Sequence, residues 1–495
     1  MDLRKEPLHL ISMEPLFQLQ IALPRRGARS LLSSLHGQLR TAILDGRLKP
    51  GVRLPSTRTL AAAHGVSRNT AIAAYDLLLS EGYILARRGS GTVVAKSLPG
   101  AAKLRGAETQ AGAQRRLNRY WRGRSVATVG DTGATARYVF QVGVPDLSSF
   151  PFDTWRRLSN RALRRFRARP AFRADAQGLA VLREAIAQHV SFARAVACNP
   201  EDIVVTAGAQ QAFDLLARVL TTRGRSSVAL ENPGYPPVRA AFEAHGSRIA
   251  SVPVDKDGLI VERIPARTRV VCVTPSHQFP LGAVMSVQRR TALLEFCRRR
   301  GAVIIEDDYD GEFRFVDRPL DALQTLDRAQ SVFYVGTFSK ILMPELRLGY
   351  IVAPPWALAA LVAAKRVADG PCNALTQATL ALMISEGHLA RHVRRMQRIY
   401  RSRRDLLLEG LHSTFGRRLE PLPSVAGLHV TLRLEPGCEE EAVIASARNR
   451  GVLIGALRRY YAGQPALQGL VLGYGNVDER AIVEGLRGLR QSMPS

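Results

Sequence analysis

Five short apolar runs between residues 203 and 337 constrain the fold of this chain more than any other feature. Each run ends at a polar loop, and longer stretches with helical spacing lie between the runs. The runs are IVVTA (203–207), SVALE (227–231), VVCVTP (270–275), AVIIED (302–307) and SVFYVGT (331–337). Strands that alternate with helices are typical of a parallel α/β sheet, in which ligands bind at the carboxyl ends of the strands. We therefore predict an α/β fold for residues 138–495, with any functional site at these strand ends.

The composition argues against several classes of protein. No apolar run in the 495 residues is long enough for a membrane span, and the start, MDLRKEPLHLISMEP, lacks the apolar core of a signal peptide. The five cysteines lie far apart without a CxxC pair, which argues against a zinc site or a disulfide framework. We therefore expect a cytoplasmic protein without a metal. The net charge of +28 fits either a nucleic-acid partner or a general bias towards arginine.

The chain divides into three predicted zones. Residues 16–96 hold short helical patterns that end in a glycine-rich hairpin, and residues 138–495 form the α/β region. Between them, residues 97–137 are rich in Gly, Ala, Thr and Arg and show little apolar periodicity, which predicts a flexible basic linker. The linker arginines either add phosphate contacts or belong to a solvated tail; they are Arg115, Arg116, Arg119, Arg122 and Arg124.

The first zone predicts a helix-turn-helix followed by a hairpin. Helical spacing in LLSSLHGQLRTAILDG is followed by RLPSTRTLAAAHG, where Ser56 or Thr57 would cap a short helix. A third helix begins in VSRNTAIAAYDLLLSEGYI with Ser67 as its N-cap, and its predicted inward face is Ile72, Tyr75, Leu78 and Leu79. This leaves Arg68, Asn69 and Thr70 at an exposed helix start, while YILARRGSGTVVA forms a hairpin with Arg88, Gly89, Ser90 and Gly91 at its tip.

The segments RLPSTRTLA, GVSRNTAIAAYDLLLSEGYI and GSGTVV resemble the winged helix of the GntR family. The alternative is a small helical bundle without a nucleic-acid role, but the turn, the polar helix start and the basic wing occur here in the winged-helix order. The resemblance implies an operator DNA partner. It also implies that seven residues face the DNA, namely Arg53, Arg58, Ser67, Arg68, Asn69, Thr70 and Gly91. Arginine and asparagine can read base edges, whereas serine and threonine more often bind phosphate.

Lys340 is the candidate reactive residue of the α/β region. Only three lysines follow residue 103, and Lys256 lies in a DKDG turn while Lys365 is predicted as a surface residue of a helix. Lys340 instead follows a buried strand at its carboxyl end, and Arg347 comes seven residues later. An amine that forms an imine must lose its proton in a partly buried site, and an arginine alongside can hold an anionic group. The pattern predicts a lysine that binds an aldehyde.

Three further strand ends supply partners for a flat heterocycle. The strand AVIIED ends in carboxylates, of which Asp307 is the candidate to keep a ring nitrogen protonated, and Tyr309 would offer a phenol to the ring oxygen or the imine. A metal cluster or a solvated turn would also fit EDDYD, although no histidine stands at matching spacing. The turn after IVVTA exposes helix-start amides at Gly208 and Ala209 that suit a phosphate, and Tyr235 could stack on the ring.

Taken together, VTPSHQFPLG, EDDYDGEF, GTFSK and GHLARHVRRMQRIYRSRRDLL resemble the pyridoxal 5'-phosphate (PLP) enzymes of fold type I, the aspartate aminotransferase superfamily. With the winged helix attached, the chain resembles the MocR-type (GabR/PdxR-like) regulators. The resemblance implies that Lys340 forms the Schiff base with PLP. It implies that the remaining cofactor contacts are Asp307, Tyr309, Tyr235, Gly208, Ala209, Thr337, Ser339 and Arg347, with Gln278 or His277 in the loop where related enzymes use an asparagine.

The resemblance implies a homodimeric transcription regulator whose aminotransferase-like domain senses PLP, an amine or an amino acid. One departure bears on the effector: many relatives clamp a carboxylate with an arginine near the C-terminal strand, but LVLGYGNV contains none. Arg458 and Arg459 are nearby substitutes, and otherwise PLP itself or an amine without a carboxylate is favoured. The alternatives are an active aminotransferase with a DNA-binding appendage, and a DNA-binding protein whose second domain holds no cofactor.

Overall fold

The computed structural model of the chain describes residues 31–87, 91–95, 116–122, 136–168, 175–315 and 321–493. The chain forms two compact units, residues 1–124 and 125–495. Among the described residues, no helix combines the length and the apolar character needed to cross a bilayer. The hairpin-tip residues Arg88, Gly89 and Ser90, and most of the predicted linker, lie outside the described residues.

The described part of the first unit contains three α-helices, a two-stranded hairpin and a short 3-10 helix, Arg119–Trp121. The α-helices are Leu31–Leu44, Thr57–His64 and Arg68–Ser80, and the antiparallel strands are β1 (Ile84–Arg87) and β2 (Gly91–Val94). Ser56 and Ser67 cap the second and third helices, since each side-chain oxygen accepts a hydrogen bond from the backbone N–H three residues later at 3.1 Å. The helices therefore begin where the serine caps predict, and Ser56 rather than Thr57 is the first cap.

The inward face of the third helix differs in part from its prediction. Tyr75 and Leu78 are buried as expected, but Ile72 is 36% exposed and Leu79 is only half-buried. Two alanines occupy the core positions instead, because Ala71, Ala74, Tyr75 and Leu78 follow the spacing i, i+3, i+4, i+7 of one helix face. The prediction for Ile72 was wrong because it favoured the bulkier residue over the neighbour that completes this face.

The second unit is built on an eight-stranded sheet with the order β4-β11-β10-β9-β8-β5-β6-β7. The strands are β4 (Ile203–Thr206), β5 (Ser227–Asn232), β6 (Arg248–Asp255), β7 (Gly258–Leu259), β8 (Thr268–Val273), β9 (Val303–Asp308), β10 (Val332–Thr337) and β11 (Gly349–Val352). Strands β10, β9, β8, β5 and β6 pair in parallel, while β11 is antiparallel to both β10 and β4. The five predicted strands therefore all run the same way, and the loops that follow them meet at one edge.

Helices cover this sheet and enclose its apolar strands. They are Phe152–Arg167, Ala180–Arg194, Ala209–Leu220, Pro236–Ala244, Val287–Arg300, Pro355–Ala368 and Ala374–Ser385. One face of the sheet packs its valines and isoleucines against Phe213, Phe242 and Leu361. The opposite face packs against Met285, Leu293 and Cys297. Burial on both faces explains why these strands read as continuous apolar runs in the sequence.

A smaller sheet follows in the C-terminal part of the same unit. Its order is β12-β13-β16-β15, with β12 (Leu419–Pro421), β13 (His429–Leu434), β15 (Gly455–Ala456) and β16 (Gly469–Gly473). The helices His388–Phe415, Glu440–Asn449 and Glu479–Arg490 contribute to its core. The short strand β3 (Tyr138–Val139) pairs with β14 (Val452–Leu453) beside this smaller sheet. The chain then reaches Gly143, whose backbone oxygen accepts a hydrogen bond from Lys340 Nζ.

Candidate functional site

A cavity of about 270 Å³ lies at the carboxyl ends of the central strands. It contains most of the residues predicted for the cofactor, although they come from five different segments of the chain. The predicted residues among its lining are Ala209, Tyr235, Asp307, Tyr309, Thr337, Ser339, Lys340 and Arg347. Other residues of the lining are Val142, Gly143, Gln210, Phe279, Asp310, Leu428, His429 and Tyr460.

Lys340 lies half-buried beyond the end of β10, and its Nζ donates a hydrogen bond to Gly143 O at 2.6 Å. Burial lowers the pKa of this amine, whereas the nearby carboxyl groups of Asp310 and Asp307 act in the opposite direction. Because the effect of burial on this pKa is larger than that of the carboxyl groups, Lys340 loses its proton more easily than a solvated lysine does. A neutral amine is the nucleophilic form, so the environment suits an amine that attacks an aldehyde.

Asp307 lies in β9, one residue before its end, and is buried, and its Oδ1 atom has no hydrogen-bond partner among the described residues. Burial raises the pKa of this carboxyl well above its usual value, and the negative charges of Asp308, Asp310 and Glu231 add to the effect. Leaving a buried acceptor unpaired is costly, so such an atom usually marks the place of a ligand or a water. A protonated ring nitrogen in the cavity would supply the missing donor, and Asp307 therefore fits the predicted cofactor.

Tyr309 lines the cavity, but its hydroxyl also takes part in a buried network. The hydroxyl donates to the backbone oxygen of His277 at 3.1 Å and lies 2.9 Å from His277 Nδ1, which is itself 3.0 Å from Asp310 Oδ2. Burial raises the pKa of the phenol well above its usual value, so it stays protonated at neutral pH. The network fixes the orientation of the ring beside the cavity.

Tyr235 presents its ring at the mouth of the cavity and is 41% exposed. Its ring and that of Phe279 are nearly perpendicular, with 5.7 Å between the centroids. Stacking of a flat ligand on Tyr235 stays a prediction.

The predicted phosphate residues gather at one end of the cavity. Gly208 has φ 80° and caps the helix Ala209–Leu220, whose first N–H groups are therefore available to an anion. Arg347 holds its guanidinium beside this turn through a 2.7 Å hydrogen bond from Nη2 to Ala207 O. The hydroxyls of Thr337 and Ser339 lie 3.1 Å apart at the end of β10. A helix start, a guanidinium and two hydroxyls form a suitable set of donors for a phosphate.

His277 and Gln278, the alternatives predicted for this loop, do not line the cavity. The amide nitrogen of Gln278 donates to the backbone oxygens of Phe279 at 2.6 Å and Pro233 at 2.9 Å, so the side chain holds its own loop together. The residue of this loop that lines the cavity is Phe279. The sequence alone did not single it out, because HQFPLG does not show which residue faces inwards.

Several residues of the cavity have no clear signal in the sequence. His429 and Leu428 come from the smaller sheet, and Tyr460 comes from a short turn that the sequence associates only with the neighbouring arginines. Burial lowers the pKa of His429 to about 3, so this imidazole is neutral. Of those arginines, Arg458 pairs with Glu441 at 2.7 Å on the surface, and Arg459 lines a separate, smaller cavity.

Lys365 corrects a further expectation. The sequence predicts a surface lysine, but the side chain is 0% exposed and its Nζ contacts Asp369 Oδ1 and Gly370 O, each at 2.5 Å. The lysine is thus held by the end of its own helix, where its charge is paired. Lys256 is exposed as predicted. Lys340 therefore remains the lysine that faces the cavity.

The first unit has its predicted DNA-binding residues on its surface. Arg53, Arg58, Ser67, Arg68, Asn69 and Gly91 are exposed, and Thr70 is half-buried. Ser67 and Thr70 join their hydroxyls at 2.8 Å across the start of the third helix. A Cβ atom added at Gly91 would lie 3.2 Å from Arg53 Nε, so the arginine lies directly against the wing. The helix start thus presents two unburied polar side chains, Arg68 and Asn69, side by side.

Comparison with known proteins agrees with both halves of the chain. Residues 32–94 match the bacterial regulatory proteins of the gntR family, and residues 142–477 match aminotransferase class I and II. The chain is 38% identical over 462 residues to the probable rhizopine catabolism regulatory protein MocR of Rhizobium meliloti, with 92% of each chain covered. It is 34% identical over 464 residues to the HTH-type pyridoxine biosynthesis transcriptional regulator PdxR of Corynebacterium glutamicum, covering 94% of this chain and 96% of the relative.

A solved structure gives the same fold for the second unit. The kynurenine aminotransferase of Pyrococcus horikoshii matches with a TM-score of 0.70 and 25% identity, covering 77% of this chain and 98% of that one. The predicted fold class, a winged helix-turn-helix joined to a fold-type-I aminotransferase-like domain, is confirmed. The chain belongs to the MocR-type transcription regulators of the GntR family, which join a DNA-binding helix-turn-helix to an aminotransferase-like domain.

Proposed function

We propose that this regulator binds pyridoxal 5'-phosphate at Lys340 and that the ligand state of this site alters its affinity for operator DNA. The observation that carries the proposal is the meeting of Lys340, Asp307 and Arg347 around one cavity. These three residues come from two strand ends and a later turn, yet together they match the aldehyde, the ring nitrogen and the phosphate of one cofactor. A structural role alone does not explain an unpaired carboxyl oxygen beside a lysine of lowered pKa.

When bound, the cofactor supplies an aldehyde that condenses with a primary amine and a ring that accepts electrons. Lys340 would provide the amine, and loss of its proton is favoured by burial. Asp307 would accept a hydrogen bond from the ring nitrogen, while Tyr235 would cover one face of the ring. Gly208, Ala209, Thr337, Ser339 and Arg347 would hold the phosphate. Phe279 and Tyr460 would exclude water from the same region.

The lining of the cavity favours an effector without a carboxylate. Among the described residues of one chain, Arg347 is the arginine that lines the cavity, and it belongs to the phosphate end. Strand β16 carries no arginine, and Arg458 is paired with Glu441. The name of one relative refers to pyridoxine biosynthesis and that of another to rhizopine catabolism. We therefore propose a B6 compound or an amine as the effector class ahead of an amino acid.

We further propose that the regulator acts as a homodimer in the cytoplasm, where its DNA partner is found. The surface of the second unit carries exposed apolar side chains, among them Phe152 at 60% and Phe192 at 96% exposure. A second copy of the chain would bury such surface and would bring two DNA-binding units to two half-sites. An effector can act only if it binds two conformations of this dimer with different affinity.

The test combines an absorbance spectrum with a DNA-binding assay on the full chain. Purified protein supplied with pyridoxal phosphate should show a visible band of lysine-bound cofactor. Its affinity for the DNA upstream of its own gene should change when the cofactor or a candidate amine is added. A colourless protein after cofactor addition would contradict the proposal. Steady conversion of an amino acid and a keto acid, with no effect of ligand on DNA binding, would favour an active aminotransferase instead.

A further inference from the structure

A second buried carboxyl group lies behind the predicted cofactor site. Glu231, in β5, is 7% exposed. Its Oε2 atom accepts hydrogen bonds from Thr274 Oγ1 at 2.6 Å and from Gln278 Nε2 at 3.3 Å. Its Oε1 atom has no partner among the described residues. A buried oxygen that lacks a donor is costly, so this atom requires an explanation that packing does not supply.

Glu231 and Asp307 line one small cavity of about 140 Å³, which is separate from the larger one. Asp307 lines both cavities, and its unpaired Oδ1 is the atom that fits a ring nitrogen. The small cavity has room for water, which can connect the two carboxyl groups on its lining. The small cavity therefore contains two carboxyl groups with an unpaired oxygen: that of Asp307, which is predicted to hold the cofactor ring, and that of Glu231.

The electrostatics of this pair favour one proton shared between two carboxyl groups. Burial raises the pKa of Glu231 to about 7, although the hydrogen bonds from Thr274 and Gln278 oppose the rise. The charge of Glu231 in turn helps to raise the pKa of Asp307. Two negative charges on the lining of one small cavity repel each other, so ionisation of both carboxyl groups at once is disfavoured. The other titratable or charged groups that face Glu231 or line this cavity are Cys272, Tyr309, Tyr235, Arg239, Arg459, Tyr460 and Tyr461.

We propose that Glu231 is a positioning residue that, together with Asp307, keeps a proton on this carboxyl pair until a cationic cofactor ring binds. The inference rests on the proposed function. The negative charge of Glu231 favours a proton on Asp307. A protonated ring nitrogen against Asp307 would favour its ionisation instead, so cofactor binding should release a proton from the pair near neutral pH. In Glu231→Gln, Asp307 would be more ionised before binding and would release less.

The experiment counts the protons released on cofactor binding. Pyridoxal phosphate is titrated calorimetrically into cofactor-free full-length protein in buffers of different ionisation heat, at several pH values within about one unit of the Glu231 pKa. Near pH 7, wild type should release more protons than Glu231→Gln, by up to about one proton per chain. Glu440→Gln is the matched control, since Glu440 is also buried with a raised pKa but lies in the smaller sheet region. It should match wild type.

Thr274→Val gives an independent measure that does not remove the carboxyl group. Loss of the 2.6 Å hydrogen bond to Glu231 disfavours the carboxylate, so the proton release should move to higher pH. Equal proton counts for wild type and Glu231→Gln would overturn the inference, as would an unmoved profile in Thr274→Val or a wild-type release that does not vary with pH. If the visible band still forms in these cases, the proposed function stands although the inference about Glu231 fails. A wild type that neither binds the cofactor nor becomes coloured would overturn both.

Discussion

The predicted DNA-binding surface of the first unit and the cavity of the second unit are built in opposite ways. The predicted recognition residues Ser67, Arg68, Asn69 and Thr70 are consecutive in the chain, and all but the half-buried Thr70 are exposed. The cavity is partly enclosed and takes residues from segments as distant as Gly143 and Tyr460. The first site depends on one capped helix start, whereas the second depends on the order of strands in a sheet.

The difference teaches where each kind of chemistry can be placed. Exposed arginine and asparagine side chains can contact phosphates and base edges without any change in the core of their unit. The cavity instead uses burial, which lowers the pKa of Lys340 and raises that of Asp307. Substitutions in the two regions should therefore have different effects. Changes on the surface of the first unit should alter DNA affinity alone, whereas changes in the cavity should alter cofactor binding first.

The largest effect is expected for Lys340→Ala. This change removes the amine that would join the cofactor, so the visible band of the lysine-bound form should disappear altogether. Lys256→Ala is the matched control, because that lysine is exposed and lies outside the cavity. The measurement is an absorbance spectrum of each variant after addition of pyridoxal phosphate. A band that persists in Lys340→Ala would move the covalent site to another residue.

A smaller loss is expected for Arg68→Ala in the first unit. Removal of one base or phosphate contact should weaken operator binding by about 1–3 kcal/mol, or roughly fivefold to somewhat more than a hundredfold. Cofactor absorbance should not change, because Arg68 is exposed and belongs to a separate compact unit. The assay is a DNA titration at two salt concentrations.

Arg47→Ala provides the control for this change. It removes the same charge from the same unit at an arginine that is paired with Asp45 in a turn and lies outside the predicted contacts. Comparable losses in both variants would mean that net charge, rather than the helix start, carries the affinity. A simultaneous loss of cofactor in Arg68→Ala would contradict the independence of the two regions.

The sequence predicts the fold well, and physical reasons explain where it fails. Buried parallel strands are apolar throughout, so β4, β5, β8, β9 and β10 were visible as runs. Ser56 and Ser67 cap helices through purely local hydrogen bonds, which the sequence also displays. In contrast, Ile72 was misplaced, because apolar bulk does not reveal which of two adjacent helix positions faces the core.

The lining of the cavity was predictable where a residue lies at or shortly after the end of a strand. Asp307 lies near the end of β9, and Lys340 and Tyr235 come three residues after β10 and β5 end; all three line the cavity. Phe279 and His429 were missed, because a loop and a distant sheet place them, and neither leaves a pattern in the sequence. Lys365 was misjudged because its partner Asp369 lies one helical turn later, and a paired lysine can be fully buried.

Asp307→Asn tests the predicted contact with the ring nitrogen inside the cavity. Asparagine keeps the size of the side chain but removes the negative charge that favours a protonated ring. A hydrogen bond to a charged group contributes about 1.5–3 kcal/mol, so affinity for pyridoxal phosphate should fall roughly tenfold to a hundredfold. The measurement is a titration followed by absorbance. Glu306→Gln changes the neighbouring buried carboxyl, which accepts bonds from the backbone of Leu323 and Gln324, and should leave this affinity unchanged.

Gly208→Ala sharpens the comparison at the phosphate end and should give the smallest of these effects. Gly208 has φ 80°, and an added Cβ would lie 3.2 Å from Arg347 Nη1, so alanine would strain the turn and displace the guanidinium. We expect a loss of about 1–2 kcal/mol in affinity for pyridoxal phosphate and a smaller loss for pyridoxal, which lacks the phosphate. Gly224→Ala shares the positive φ, at 72°, but has open space around it, so it introduces similar backbone strain without touching Arg347. If the two alanine variants lose affinity equally, or if pyridoxal suffers as much as its phosphate ester, then this turn is not the phosphate site.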